Sequence, residues 1–180
     1  MQRTANPCTP VRFRPQPPSK ITETNNQYFN FFYIICFLFI YIFMKILVMG
    51  LPGSGKTYLT ERLQPLLESA WYNADQVRKM ANDWDFSDEG RKRQSNRMRA
   101  FADFEKENGR FVICDFVCPT AQTRKNFDAD ITIWMDTIKE GRFQDTNKIF
   151  VQPHNVDFHI TEWNEKNHIN IAHDIKEKYV

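Results

Sequence analysis

The octapeptide Gly50-Leu51-Pro52-Gly53-Ser54-Gly55-Lys56-Thr57 constrains this chain more than any other feature. It fits G-x-x-x-x-G-K-[ST]. It follows the apolar run KILVM (residues 45–49) and precedes Leu59, Leu63, Leu66 and Leu67 at helical spacing. Closely spaced glycines let consecutive backbone N–H groups turn toward one anion. A helix starting just beyond them adds its positive end. The pattern thus predicts a strand buried on both faces, a phosphate-gripping turn, and a helix from residue 57 to about residue 69. Lys56 is placed to reach the β- and γ-phosphates of ATP, and the Thr57 hydroxyl to ligate Mg²⁺. Leu51, Pro52, Ser54 and Tyr58 complete the candidate nucleotide contact with Gly50, Gly53 and Gly55.

Further elements follow at the spacing of alternating strands and helices. AWYN (70–73) reads as a second strand leading to Asp75. Ser87 before Asp88 and Glu89 reads as a helix cap followed by first-turn acids, with the helix running to about Asn108 and stopping at Gly109. FVIC (111–114) leads to Asp115, and ITIWM (131–135) to Asp136. A last strand is expected at 158–161, then a helix with Ile169, Ala172, Ile175 and Tyr179 on one face. The expected fold is α/β, a three-layer P-loop NTPase or kinase fold with a mostly parallel sheet.

With 180 residues the chain is long enough for one domain with a substantial core. Residues 1–43 hold Arg3, Arg12, Arg14 and Lys20 against Glu23. The head thus carries the positive excess and the rest, with 20 basic against 21 acidic residues, is close to neutral, without the basic excess of a duplex-binding protein. No nucleic-acid partner is expected. Residues 1–27 are rich in Pro, Asn, Thr and Gln and read as disordered. The aromatic and aliphatic run at 28–44 falls short of the ~20 residues that span a bilayer comfortably. It would also end directly against the first strand, leaving no linker. Nearly every residue from 25 to 43 is encodable by A and T alone, as in translated upstream sequence. We therefore expect a head at 1–43, upstream of a natural start at Met44, and a kinase domain at 44–180. A membrane partner would require 28–44 to be an anchor. The four cysteines show neither zinc spacing nor a disulfide framework, which fits reduced thiols and a cytoplasmic location.

The remaining polar residues leave alternatives open. An acid after an apolar strand, as at Asp115, suits a position near Mg²⁺, or it caps the loop toward Pro119. Asp75 suits orientation or deprotonation of an attacking hydroxyl, or it caps the helix holding Val77 and Met80. Arg93, Arg97 and Arg99 fit a solvated helix face, whereas Arg78 and Arg91 are better placed for an anionic acceptor. Arg142 and Lys148 are either cations over the transferred group or ordinary surface charge.

Taken together, these segments resemble the adenylylsulfate kinases over about residues 44–161. NADQVR (73–78) is similar to that family's D-G-D-x-x-R, and FSDEGR (86–91) to its F-S-x-x-D-R. FVCPT (116–120) with Arg124 resembles F-I-S-P-Y with a later Arg, and WMDT (134–137) the strand before its lid. The resemblance implies phosphorylation of the 3′-hydroxyl of adenylyl sulfate by ATP. It assigns Asp75 to the acceptor hydroxyl and Arg78 and Arg91 to the acceptor. It has Phe86 stack on the acceptor's adenine and sets Val117 and Pro119 against it, with Arg124 nearby. This sequence departs from the family in Gly90, Gln94 and Asp115, and in its lid. There RFQDTNKIF (142–150) stands loosely for R-D-P-K-G-L-Y, and the segment carrying a second adenine-stacking aromatic is largely missing. Phe150 or Phe158 is the available substitute. The departures bear on the acceptor, and the rival readings are another small-metabolite kinase with a reduced lid or a non-catalytic ATP-binding protein. A homodimer is compatible with any of them.

Overall fold

The computed structural model describes residues 43–179. The head call, apart from its last residue, lies outside them, as does most of the 28–44 run. Among the described residues no helix is long and apolar enough to cross a membrane.

Five parallel strands form one sheet in the order β2-β3-β1-β4-β5: β1 (Lys45–Gly50), β2 (Ala70–Asn73), β3 (Val112–Asp115), β4 (Ile131–Met135) and β5 (Phe158–Ile160). The helices are α1 (Lys56–Leu67), α2 (Ala74–Met80), α3 (Asp88–Glu107), α4 (Ala121–Phe127), α5 (Gln144–Ile149) and α6 (Asn167–Tyr179). This is the expected three-layer P-loop architecture.

Strand β1 lies at the sheet's centre, and its alternating side chains feed two cores. Ile46 and Val48 point to a layer built with Leu59, Leu63 and Leu67 of α1 and Ile171, Ala172 and Ile175 of α6. Leu47 and Met49 point to the other layer, with Met98 and Ala102 of α3 and Phe127 of α4. Burying each such aliphatic side chain contributes about 1.5–3 kcal/mol, so β1 anchors both layers. The continuous apolar reading of KILVM reflects this double burial.

Several boundaries match their local chemistry. The Ser87 hydroxyl accepts from the Gly90 amide at 3.2 Å, and α3 ends at Glu107 before Gly109 adopts φ 72°. Other readings are corrected. Ile169 of α6 is exposed and Ile171 takes its place in the core, because the buried stripe runs Ile171, Ala172, Ile175. Leu66 lies at the solvent edge of α1. Phe150 and Phe158 are each partly buried, Phe158 against one core layer and Phe150 against the other. Short helices α4 and α5 carry too few turns to show apolar periodicity in the sequence. The Thr120 and Thr123 side chains form a reciprocal cap that starts α4. Cys114 and Cys118 are both buried free thiols.

Candidate active site

The parallel sheet brings the C-terminal ends of β2, β3 and β1 side by side, with Asn73 opposite Asp115 and Asp115 opposite Val48. The loop from β1 to α1 passes over this edge. Gly50 has φ 144°, and a Cβ there would overlap the Met135 carbonyl of β4, so only glycine lets the strand turn this close to its neighbour. The Ser54 amide donates to the Leu51 carbonyl at 3.1 Å, and the Thr137 hydroxyl to the Ser54 carbonyl at 2.8 Å. The loop is thus folded on itself and braced from the end of β4.

Lys56 opens α1 and its ammonium donates back to the Leu51 carbonyl at 2.9 Å. Burial pulls its pKa down to about 8, with the nearby Asp115 and Asp75 charges acting in the opposite sense. The next residue, Thr57, donates its hydroxyl to Asp115 Oδ2 at 2.8 Å. Asn73 Nδ2 also donates to that oxygen at 2.9 Å and to the Thr57 hydroxyl at 3.2 Å. Trp71 Nε1 donates to the other oxygen of Asp115 at 2.9 Å. Burial pushes the Asp115 carboxyl above its usual range, and these donors work against that shift.

This arrangement fits the groups its sequence implies. The buried Ser54 hydroxyl has no protein partner, and the Arg142 guanidinium lies over Gly53 of the glycine turn, a cation beside a turn suited to an anion. Thr57 and Asp115 together form a compact pair of hard oxygen donors. Among the described residues no cluster of three acidic, His or Cys side chains could cage a metal. A one- or two-oxygen site suits Mg²⁺, which keeps phosphate and water as its other ligands.

Asp75 sits in the first turn of α2. The cap of that helix is Asn73, whose Oδ1 accepts from the Asp75 and Gln76 amides at 3.1 Å each. The capping alternative for Asp75 is therefore removed. Its exposed carboxylate lies close enough for its charge to act on both Lys56 and Arg78. The acceptor-side residues are assembled by the 83–87 loop. Arg78, 5% exposed, donates to the Asp83 and Asp85 carbonyls at 3.0 and 2.9 Å and lies over the Phe86 ring, 4.6 Å from its centroid. Arg91 donates to the Phe86 carbonyl at 2.8 Å. Phe86 itself is about half exposed, with the Arg78 and Arg91 guanidinium carbons 4.6 and 5.9 Å from its ring centroid.

The arginines are more committed than a solvated face would make them. Asp83 accepts from Arg93 at 2.8 Å and from Arg97 at 2.9 Å. Both arginines hold its carboxyl well below the usual range. Arg99 instead pairs with Asp103 and the Asn126 carbonyl. Arg124 donates to the carbonyls of Cys118, Pro119 and Val151, at 3.1, 3.3 and 2.9 Å. It braces the loop bearing Val117 and Pro119, in which Cys118 has φ 44°. Arg142 is exposed and lies over Gly53, where a Cβ would be 3.9 Å from its Nε. Lys148 is exposed on α5.

Five further residues join the site without having drawn notice as candidates: Trp71, Asn73, Thr137, Asp145 and Trp163. Trp163 follows β5 and lays its indole against Gly55, where φ is 87°, edge-on to Tyr58 at 5.0 Å. It also lines a cavity of about 590 Å³ bounded by residues 159–167. A lone tryptophan in a loop carries no periodic signal. Asn73, by contrast, was in plain view two residues before Asp75.

The family model for adenylylsulphate kinase matches residues 43–153. A probable adenylyl-sulfate kinase of Aeropyrum pernix is 38% identical over 84 residues, covering 42% of this chain and 44% of that protein. The match thus spans less than half the length of that relative. Among solved structures, the APS kinase CysC of Mycobacterium tuberculosis, in complex with AMPPNP and APS, is similar with a TM-score of 0.56 at 18% identity. The match covers 75% of this chain and 96% of that one. An unliganded sugar kinase from Janibacter sp. is similar with the same TM-score at 16% identity, over 75% and 95%. At these identities the two structures speak to the fold alone.

Proposed function

As the chain belongs to the adenylylsulphate kinase family, we propose that it transfers the γ-phosphoryl group of ATP to the 3′-hydroxyl of adenylyl sulfate, yielding 3′-phosphoadenylyl sulfate and ADP. The observation that carries this reading is the convergence of Lys56, Thr57, Asn73, Asp75 and Asp115 on one sheet edge, beside a loop that presents Phe86, Arg78 and Arg91.

In this reading the glycine turn and the start of α1 hold the triphosphate, and the Lys56 ammonium exchanges the Leu51 carbonyl for phosphate oxygens. Thr57 and Asp115 would hold Mg²⁺, which neutralises phosphate charge and orients the transferred group. Trp71 and Asn73 each donate one hydrogen bond to the Asp115 carboxylate, and Asn73 donates another to the Thr57 hydroxyl, which keeps the two aligned. The cavity beside Trp163 receives the base. Asp75, exposed and next to Lys56, orients the acceptor hydroxyl and accepts its proton as the new phosphate ester bond forms and the bond to ADP breaks. Phe86 offers its free face to the acceptor base, and the loop braced by Arg124 sets Val117 and Pro119 behind it. Arg142, already over Gly53, supplies positive charge beside the group in flight. Catalysis of this kind needs chiefly positioning and fixed charge.

A second reading, an uncharged hydroxyl acceptor such as a sugar, is favoured by one observation. The guanidinium groups of Arg78, Arg91 and Arg124 are already engaged by protein oxygens. A coupled ADP-release assay across adenylyl sulfate, nucleosides and sugars separates the two. We expect turnover with adenylyl sulfate; activity on a sugar alone would overturn the proposal.

A further inference from the structure

Arg91 stands in the first turn of α3 and makes three contacts. Its Nε holds the Phe86 carbonyl, one terminal nitrogen reaches the buried Thr146 hydroxyl at 3.5 Å, and the other pairs with the Asp145 carboxylate. The Arg91 side chain is 18% exposed, whereas that of Asp145 is 65% exposed. A carboxylate largely in water is thus bound to a half-buried cation at the edge of the acceptor loop. Asp145 belongs to α5, and the segment carrying it is internally tied. The Gly141 amide donates to Asn147 Oδ1 at 2.9 Å, and Asn147 Nδ2 donates back to the Gly141 carbonyl at 3.1 Å. Between these two residues lies Arg142, over Gly53 of the phosphate cradle. One short braced unit therefore touches the acceptor side through Asp145 and the donor side through Arg142.

We propose that Asp145 is an internal competitor for the acceptor's anionic group: it occupies Arg91 until that group displaces it, and the exchange releases the 141–149 unit to reposition Arg142. This rests on the acceptor being an anion, as the proposed function has it. The chemistry of the pair supplies the selectivity. The guanidinium edge that meets Asp145 cannot make the same contacts with a sulfate or phosphate group at the same time. An anion repays the lost carboxylate with oxygens of its own. A neutral sugar or nucleoside does not, and would leave a half-buried guanidinium short of its partner. Because the outgoing carboxylate is mostly solvated, its hold is weak enough to be exchanged reversibly. Asp145 thus raises the threshold for any acceptor that takes Arg91, and only an anion repays the lost contact.

The test uses inorganic sulfate as the probe and the full chain, wild type and Asp145→Asn. The Nε–Hε resonance of Arg91, assigned with Arg91→Lys, is followed by NMR as sulfate is added. Removing the competing charge should tighten sulfate binding at Arg91 about two- to fivefold, the range of a solvent-exposed ion pair. In turnover, the variant should show a lower KM for adenylyl sulfate and an unchanged KM for ATP. Equal or weaker sulfate binding in the variant, or an Arg91 resonance that sulfate never moves, would overturn the exchange. Failure of the wild type to phosphorylate adenylyl sulfate would instead count against the proposed function, and the sulfate titration would still judge Asp145 on its own.

Discussion

Replacing Lys56 with methionine should abolish function while making the nucleotide-free protein more stable. The reason is that the fold holds this ammonium where it would be less charged. Its pKa falls from 10.5 to about 8 on burial. The full drop corresponds to roughly 3 kcal/mol of preference for the neutral form. Lys56 is only half-buried, so solvent screens part of this, and about 1–2 kcal/mol is the expected gain for Lys56→Met at pH 7. For a domain of this size that is a rise of roughly 3–8 °C in Tm. The sign fixes a pH window. Below pH 8 the lysine is protonated in both folded and unfolded chains, and the native state bears the whole penalty. Between pH 8 and 10.5 the folded protein loses its proton first, so the penalty fades. Urea unfolding of both proteins at pH 7, 8, 9 and 10 isolates the effect, because titrating groups not coupled to Lys56 cancel in the difference. The methionine variant's advantage should shrink steadily across that range, while its ATP binding, measured by calorimetry, is lost at every pH. A variant less stable than wild type at pH 7, or an advantage identical at pH 7 and 10, would refute the reasoning.

Two other substitutions probe the metal pair and the acceptor loop. Asp115→Asn keeps the size of the side chain but removes its charge, so the Mg²⁺ concentration needed for half-maximal activity should rise about ten- to a hundredfold. Thermal unfolding of the metal-free variant should be lower than wild type, since the carboxylate accepts from Trp71 on one side and from Thr57 and Asn73 on the other, and an amide NH2 would face a donor on either side. Gly90→Ala would drive a Cβ into the backbone and side chain of Asp85, beside Phe86. We expect a loss of about 1–3 kcal/mol in unfolding free energy and a larger rise in KM for the acceptor than for ATP. Equal rises would argue that the 83–87 loop does not serve the acceptor.

Gly90 also shows how a departure from a motif can be structural. The family pattern has an acid at this position, and here the 85 backbone packs directly on the helix instead. From the sequence Gly90 was only a mismatch. The helix that carries it was legible, because Ser87, the acids after it and the closing Gly109 act through contacts within a few residues. The same holds for the cradle between β1 and α1, whose glycines, lysine and threonine answer to local backbone geometry. Asp115 was recognisable as an acid at a strand's end, yet its tie to Thr57 depends on two strands being neighbours.

Periodicity failed where elements are short or where two stripes compete. On α6 the sequence reading set Ile169 on the core face with Ala172 and Ile175, but α1 packs against Ile171, Ala172 and Ile175.

The chain's order of residues determined, by itself, that a phosphate-binding turn joins a doubly buried strand to a helix, because the turn and helix start depend on local backbone geometry and an unbroken apolar run marks double burial whatever packs on it. Only the folded molecule decided which charges remain available. The pairing of Arg91 with Asp145 joins residues 54 positions apart, and that of Arg97 with Asp83 joins residues 14 apart. Arg124 reaches the Val151 carbonyl 27 residues away. Such contacts exist only once the sheet has set its loops side by side. Their strength depends on burial, a property of the packed chain that no single segment carries.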